Sequence, residues 1–199
     1  MRDLTSSLPT LTENMRQTAV FNDTNPKKRT HRYLLTREWK TGVEKPNLAC
    51  FIMQNPSKGD EYVDDPAIDA CIKLIHGEKD DNNKPYDGIV ILNLYAFIDS
   101  NSHKIIERSY IDAVGPENDI IIQDVVQQYP NNIIVAWGAG GEEFLPGFRK
   151  RIESVLYLLP KEGLHCLGVT YKGKQRYPRY PHPRNPKDLD KLKIQPWIM

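Results

Sequence analysis

The sequence lacks a long apolar run. No stretch of its 199 residues approaches the roughly 18 consecutive apolar residues of a membrane-spanning helix, and no apolar segment of the signal-peptide type follows Met1. We therefore expect a cytoplasmic protein that does not contact a membrane. A hydrophobic content of 39% and a charged content of 27% are typical of a soluble globular chain. The length predicts one domain at residues 32–199, preceded by an N-terminal extension at 1–31.

Cysteines and metal-binding motifs are also scarce. The three cysteines, Cys50, Cys71 and Cys166, lie far apart, and the chain has no Cys-x-x-Cys or His-x-x-x-His pair. Two of them fall in apolar, strand-like runs, which favours buried, reduced thiols. We predict no metal and no other cofactor. A glycine-rich segment at 138–141 lacks the Lys-Ser/Thr ending of a nucleotide-binding loop, which argues against a kinase or ATPase of that type.

Charge of one sign is not in excess, since the formal net charge is only +1. Its distribution is uneven, however. Eight lysines and arginines lie between residues 172 and 193, a second basic cluster lies at 27–32, and the segment 59–87 is acidic. Such asymmetry is consistent with one basic face that binds a polyanion, and equally with a solvated surface that has no partner.

Apolar runs alternate with helix-start signals along the chain. Buried strands are predicted at residues 48–53, 88–93, 133–138 and 164–169, with helices that begin near residues 65, 114 and 148. This alternation predicts an α/β fold, a three-layer α/β/α sandwich with a four-stranded parallel sheet. Residues 32–39 read as an edge strand or hairpin arm. We expect residues 1–26 to be irregular or partly helical, and the last thirty residues to show little regular structure.

Polar residues follow the predicted strands. Gln54 and Asn55 come directly after the first strand, where Pro56 prevents the ladder from continuing. Asn93 ends the second strand, and Trp137-Gly138 ends the third. Because the carboxyl ends of parallel strands meet at one edge of a sheet, which is where open α/β sheets bind ligands, we expect a site at this edge.

These motifs resemble those of the uracil-DNA glycosylase superfamily, where strands end in Gly-x-Asn-Pro or Gly-Gln-Asp-Pro, in Leu-Leu-Asn and in Trp-Gly. Here the corresponding segments are Met53–Ser57, Ile91–Asn93 and Trp137-Gly138, and Tyr180–Pro183 approximates the final His-Pro-Ser loop. The expected fold is therefore glycosylase-like.

The chain also closely resembles a family of microbial proteins known as a domain of unknown function, of the DUF 1643 type. The segments that carry this second resemblance, over about residues 32–183, are Asn55–Ser57, Asp64–Pro66, Asn93, Val114–Asp119 and Trp137-Gly138.

The glycosylase resemblance implies a catalytic role for three residues. Asn55 would orient the attacking water, although an amide is no general base, so catalysis would rest on positioning. His182 would donate to the base O2. Since Arg179-Tyr180-Pro181 aligns with the final motif about as well as His182-Pro183, Tyr180 is the alternative.

The same resemblance implies a base-binding set. Asn93 offers a donor and an acceptor to the edge of a pyrimidine, and Gln54 offers a further amide. Ser57 stands where uracil-specific enzymes carry a tyrosine that blocks the pyrimidine C5, so the pocket would admit a C5 substituent unless another side chain fills the gap. Tyr62 and Phe97 would either stack on the flipped base or serve in packing.

We therefore expect a monomeric, monofunctional DNA glycosylase that removes a non-standard base, such as uracil or a hydroxymethylated or glucosylated cytosine of invading phage DNA. The alternatives are a hydrolase of free modified nucleotides and a non-catalytic module that recognises DNA or a base. The residues expected to contact DNA are Lys58, Lys172, Lys174, Arg176, Arg179 and Arg184.

Overall fold

The computed structural model describes residues 15–100, 103–181, 189 and 191–198. Its central feature is a seven-stranded sheet with the order β1-β2-β4-β3-β5-β6-β9, beside a separate β7-β8 hairpin. The strands are β1 Arg16–Phe21, β2 Arg32–Glu38, β3 Leu48–Met53, β4 Gly88–Asn93, β5 Ile133–Val135, β6 His165–Cys166, β7 Val169–Lys172, β8 Gln175–Pro178 and β9 Gln195–Pro196. The α-helices are α1 Pro66–Ile75, α2 His103–Ile106, α3 Tyr110–Val114, α4 Asn118–Gln128 and α5 Phe148–Leu158.

The predicted α/β class is confirmed, but the predicted number of four strands is wrong, because the sheet has seven. The four inner strands β4, β3, β5 and β6 are mutually parallel, as expected. Three further strands extend them through antiparallel pairing: β2 and then β1 at one edge, and β9 at the other. The pattern of β1 explains why the sequence did not reveal it, because its residues alternate between exposed and half-buried and none is fully buried. Residues 16–21, expected to be irregular or helical, therefore form the outer strand.

Successive side chains of the inner strands point to opposite faces of the sheet, so each face carries its own apolar cluster. In β3, Cys50 and Ile52 belong to one apolar cluster, while Phe51 and Met53 belong to the other. Helices α4 and α5 pack on the first cluster and α1 on the second. Helix α1 begins where Asp65 and Pro66 predict, since the Asp65 carboxylate accepts from the backbone N–H groups of the second and third residues of the helix, Ala67 and Ile68.

The predicted fourth strand, 164–169, is divided in two. Gly168 has a φ of +106°, a backbone conformation that ends the run of β6 and redirects the chain into β7. Strands β7 and β8 then form a hairpin between Val169 and Pro178. The last thirty residues thus contain regular structure that their composition did not indicate.

The three cysteines are buried and unlinked, as the sequence predicted. Burial raises the pKa of all three thiols. In the part of the chain that the structure describes, no helix has the length and apolar character to cross a membrane.

Candidate active site

The loops after β3 and β4 are joined by backbone hydrogen bonds. Leu94 N donates to Met53 O at 2.8 Å, and Tyr95 N donates to Gln54 O at 3.0 Å. These bonds hold the two loops together past the ends of both strands. As a result, Asn93 lies beside Met53, the residue that precedes the Gln54-Asn55 pair.

The loop after β5 and the segment after β8 meet the same edge. Gly138 N donates to Pro178 O at 3.0 Å. A Cβ atom added to Gly138 would lie 3.0 Å from the Tyr180 Cβ, and one added to Gly140 would lie 3.7 Å from the Gln54 Oε1. Segments from four parts of the sequence thus converge at one edge of the sheet, as the strand-end pattern predicted.

Asn55 is half-buried, and its side chain has a defined orientation. Its Nδ2 donates to the carbonyl oxygens of Pro56 at 3.1 Å and Asp99 at 2.8 Å. Gln54 Nε2 lies 3.4 Å from the Asn55 Oδ1. Because both N–H groups of the amide are engaged by backbone carbonyls, Oδ1 is fixed on the opposite side as an acceptor.

The Asn93 side chain has an environment that is unusual for a buried amide. Its exposure is 0%, yet neither its Oδ1 nor its Nδ2 has a hydrogen-bond partner among the described residues. Leaving a buried amide unsatisfied costs about 1–3 kcal/mol per group, so such groups call for an explanation. A ligand that supplies both a donor and an acceptor would satisfy this side chain.

Two residues that sequence reasoning did not select hold the backbone next to Asn93. Asn118, at the start of α4, is fully buried, and its Nδ2 donates to the carbonyl oxygens of Asn93 and Leu94, each at 3.1 Å. Arg151 of α5 donates from Nε to Leu94 O at 2.5 Å and pairs with Asp119 at 2.6 Å. The segment Val114–Asp119 was part of the family resemblance, but the sequence suggested no role for it. It was the one feature of the sequence that could have pointed to Asn118 and Asp119.

Tyr180 is the only one of the two final-loop candidates within the described residues, because His182 lies outside them, as does Arg184. The Tyr180 side chain is half-buried and packs on the same apolar cluster as α1. Burial raises its pKa, helped by the nearby Cys71 and Asp65 and opposed by Arg32. At neutral pH this phenol is therefore a neutral hydrogen-bond donor.

The remaining base-binding candidates are spread over different environments. Phe97 is 5% exposed, its ring contacts His31 edge-on at 5.5 Å, and the Arg108 guanidinium lies 4.6 Å from its centroid. Phe97 therefore serves in packing. Tyr62 is 77% exposed and lies on the loop that follows Ser57. The Ser57 side chain is half-buried.

The cations expected to contact DNA are partly engaged within the protein. Lys172 pairs with Glu143 at 2.7 Å. Arg176 donates to the carbonyl oxygen of Ile198 and stacks on the Trp197 ring. The other described members differ in exposure: Lys58 and Lys174 are exposed and Arg179 is half-buried.

The site is closed around Asn93. Two surface depressions, of about 400 and 440 Å³, lie elsewhere, and neither is lined by Gln54, Asn55 or Asn93. Among the described residues, no group of three or more His, Cys, Asp or Glu side chains is arranged to hold a metal ion. Because the Asn93 side chain has an exposure of 0%, a ligand would contact its amide only after neighbouring atoms move.

Comparison with known proteins gives one match. Residues 32–181 match the family described as "Protein of unknown function (DUF1643)", which agrees with the resemblance found in the sequence. No curated protein and no solved structure matches the chain.

Proposed function

We propose that this chain, which belongs to the DUF1643 family, is a monofunctional DNA glycosylase that removes a non-standard base from DNA and leaves an abasic site. In this proposal it is a cytoplasmic monomer with a glycosylase-like three-layer fold, and it serves in defence against phages with modified DNA. The reaction breaks the N-glycosidic bond through an oxocarbenium-like sugar while the base leaves as an anion. The enzyme must therefore hold the base, position water and stabilise negative charge.

The observation that carries the proposal is the buried, unpartnered carboxamide of Asn93. A flipped-out pyrimidine presents a donor and an acceptor side by side on its Watson–Crick edge, which is what an amide can bind with both of its ends. The Asn118 and Arg151 contacts to the adjacent carbonyls fix the backbone that carries this amide. A base would replace the missing partners and recover the cost of leaving them unmade.

The geometry of Asn55 supports the second requirement, which is to position the attacking water. Its Nδ2 is engaged by the carbonyls of Pro56 and Asp99, which presents Oδ1 as an acceptor for a water molecule. An amide oxygen orients water but takes up a proton poorly, so the contribution of Asn55 is positioning. The proton of the water is passed on to solvent as the C1′–O bond forms.

Ser57 supports a C5-substituted pyrimidine as the substrate. Its side chain is small and half-buried. In the resemblance, Ser57 takes the motif position at which uracil-specific enzymes carry a tyrosine that excludes a substituent at C5. On this basis the preferred substrate is 5-hydroxymethylcytosine or its glucosylated form, with uracil as a smaller alternative. Complete exclusion of 5-modified bases would remove this part of the proposal.

The test is cleavage of DNA duplexes that carry uracil, 5-hydroxymethylcytosine or glucosylated 5-hydroxymethylcytosine, followed by alkali to break the strand at abasic sites. We expect strand breaks with at least one substrate, and a loss of about 100-fold or more in Asn55→Ala and Asn93→Ala. Asn131→Ala, an exposed residue before β5, is the matched control and should cut at the wild-type rate.

The alternatives give different results in the same assay. Tight binding of a modified duplex without abasic sites would favour a recognition module. Cleavage of free modified nucleotides but not of DNA would favour a nucleotide hydrolase, for which the basic segment after residue 171 is dispensable. Either result would overturn the glycosylase.

A further inference from the structure

Arg32 is a buried cation that forms no ion pair with a carboxylate of the described residues. Its exposure is 1%, and its Nη1 donates to Gly59 O at 2.7 Å. Its Nε has no partner, and no carboxylate oxygen of the described residues lies within 4.0 Å of it. The other two fully buried arginines differ, because Arg37 pairs with Asp64 at 2.7 Å and Arg151 pairs with Asp119 at 2.6 Å.

An unpaired guanidinium in the interior is costly. Removing a charge from water costs several kcal/mol after relaxation, and a carboxylate partner normally offsets much of this. Burial lowers the pKa of Arg32 to about 10, and the more distant Asp65 opposes this effect. Arg32 therefore remains positively charged at neutral pH, and the fold carries its charge without an ion pair.

The position of Arg32 relates it to the candidate site. Its backbone N donates to Ala96 O at 2.9 Å, three residues beyond Asn93, so it lies at the carboxyl edge of the parallel strands. Its guanidinium holds Gly59, in the loop that begins with Asn55. Its charge also acts on the Tyr180 phenol.

The Arg32 guanidinium lies on the α1 side of the sheet, since a Cβ atom added to Gly59 would lie 3.1 Å from Arg32 Nη1 and would meet the Ile68 side chain of α1. The Asn93 side chain lies on the same side. Ile89 and Ile91 belong to the apolar cluster under α1, so alternation along β4 places the Asn93 side chain on that face too. Tyr180 packs on the same cluster. Two buried side chains with unpartnered polar atoms, Arg32 and Asn93, thus share one face and one edge.

We propose that Arg32 is a catalytic residue that stabilises the base as it leaves as an anion, donating a hydrogen bond from Nε to an oxygen of the base. This inference rests on the proposed glycosylase function. The bond between C1′ and the base nitrogen breaks, its electron pair passes to the base and spreads over the ring and onto the exocyclic O2, and water adds to C1′ with loss of one proton to solvent. Arg32 keeps its proton throughout.

The chemistry explains why no carboxylate of the described residues pairs directly with this cation. Asn55 and Asn93 are neutral and contribute orientation, whereas charge develops on the departing base only in the transition state. A fixed cation in a site closed to water acts strongly on such a charge, and needs no rearrangement at the moment of reaction. A carboxylate beside Arg32 would cancel the field that the leaving base requires.

The test compares two leaving groups in single-turnover cleavage of duplexes that carry uracil or 5-fluorouracil. The fluorine withdraws electrons, so the fluorinated base needs less help to leave as an anion. We expect Arg32→Gln to lower the rate about 100- to 1,000-fold on uracil, and by a factor about tenfold smaller on 5-fluorouracil. Arg32→Lys, which keeps a charge, should recover part of the loss on uracil.

Arg37→Gln is the matched control. Arg37 lies on the same strand, is equally buried and holds the same loop through Asp60 O at 2.6 Å and Asp64. A variant that only loosens this loop should lower both rates by the same factor. Equal losses on the two bases in Arg32→Gln would therefore overturn the role of Arg32 and leave the glycosylase intact, whereas a wild type that cuts no substrate would overturn both.

A second measurement uses only the wild type, in case the Arg32 variants do not fold. Free 5-fluorouracil should inhibit cleavage more strongly as the pH rises through the pKa of the base and the anion forms, because the cation binds the anion in preference to the neutral base. Free thymine, which ionises at higher pH, is the control and should show no such change over the same range. Inhibition by 5-fluorouracil that is constant or weaker at higher pH would contradict the proposal.

Discussion

The side-chain nitrogen of Asn118 donates to the carbonyl oxygen of Asn93 at 3.1 Å, and so joins the start of α4 to the end of β4. The same nitrogen donates to Leu94 O, and Arg151 adds a third donor to that pair of carbonyls. These two carbonyls belong to the last residue of β4 and to the residue after it, at the point where the ladder ends. The contacts therefore supply the hydrogen bonds that the sheet no longer provides and fix the direction of the Asn93 side chain.

Asn118→Ala should lower both stability and activity. It removes two hydrogen bonds from buried carbonyls, which we expect to cost about 2 kcal/mol in the free energy of unfolding. Cleavage by the folded variant should fall about tenfold or more, because the Asn93 amide is no longer held in place. Urea denaturation and single-turnover kinetics provide the measurements. Gln127→Ala, exposed on the same helix, should change neither, and equal effects in the two variants would contradict the positioning role.

The parts of this fold that the sequence predicted are those with a local signal. Strands β3 and β4 are continuous apolar runs, and Asp65-Pro66 marks the start of α1 by its own capping chemistry. Strand β1 has no such signal, because a half-exposed strand depends on its pairing with β2. The order of the strands along the chain and their parallel direction were likewise sufficient to predict that Asn55 and Asn93 lie at one edge of the sheet.

Arg32 shows what a sequence alone does not reveal about the site. A charged residue at the start of a strand indicates a solvated position, and Arg32 lay within a basic cluster that read as surface. Its burial results from tertiary packing, since the loop after Asn55 folds back and Gly59 O accepts from its guanidinium. Whether a described carboxylate pairs with Arg32 depends on where all of these groups lie in the fold, so only the folded chain shows that none does.

Gly138→Ala should destabilise the protein through a contact with Tyr180. Gly138 has a φ of +69°, and an added Cβ would lie 3.0 Å from the Tyr180 Cβ. Gly173→Ala is the control, since its φ is +60° but no atom lies within 4 Å of the added Cβ. We expect a loss of about 1 kcal/mol for Gly173→Ala from backbone strain alone, and about 1–3 kcal/mol more for Gly138→Ala from crowding. Equal losses of stability in the two variants on urea denaturation would contradict this prediction, because they would show that Tyr180 moves aside without lowering stability.

The ion pair between Arg29 and Glu61 should make the loop after Ser57 sensitive to acid. The two guanidinium nitrogens of Arg29 donate to the Glu61 carboxylate at 2.7 and 2.8 Å, which lowers the pKa of Glu61. A carboxyl group with a lowered pKa adds stability that is present above its unfolded pKa, about 4.3 for Glu, and is lost as the pH falls through the folded value.

The stability difference between the wild type and Glu61→Gln should therefore be constant from pH 7 to about pH 5 and then shrink toward pH 3. We expect about 0.5–1 kcal/mol at neutral pH, since the pair lies near the surface. Denaturation at a series of pH values measures it. A difference that grows on acidification would contradict the assignment.

Asn55→Asp should not improve the enzyme, although aspartate is the stronger base. The Asn55 Nδ2 lies 3.1 Å from Pro56 O and 2.8 Å from Asp99 O, so a carboxylate in its place would set an oxygen against two carbonyl oxygens. This repulsion favours the protonated acid, which can donate to one of them, and so raises the pKa of the new carboxyl group in the folded state. The surrounding backbone thus selects an amide at this position.

A carboxyl group with a raised folded pKa costs stability above that pKa, and the cost disappears as the pH falls below the unfolded value, about 3.9 for Asp. We expect Asn55→Asp to be about 1–3 kcal/mol less stable than the wild type at pH 7 and nearly as stable at pH 4 or below. Cleavage at pH 7 should not exceed the wild-type rate, because the carboxylate turns away from the carbonyls that oriented the amide. Urea denaturation at pH 7 and pH 4, with Asn131→Asp as the exposed control, measures the first effect, and single-turnover kinetics measures the second. A variant that is stable at pH 7 and faster than the wild type would show instead that the site accepts a general base and that the two carbonyls do not define the role of Asn55.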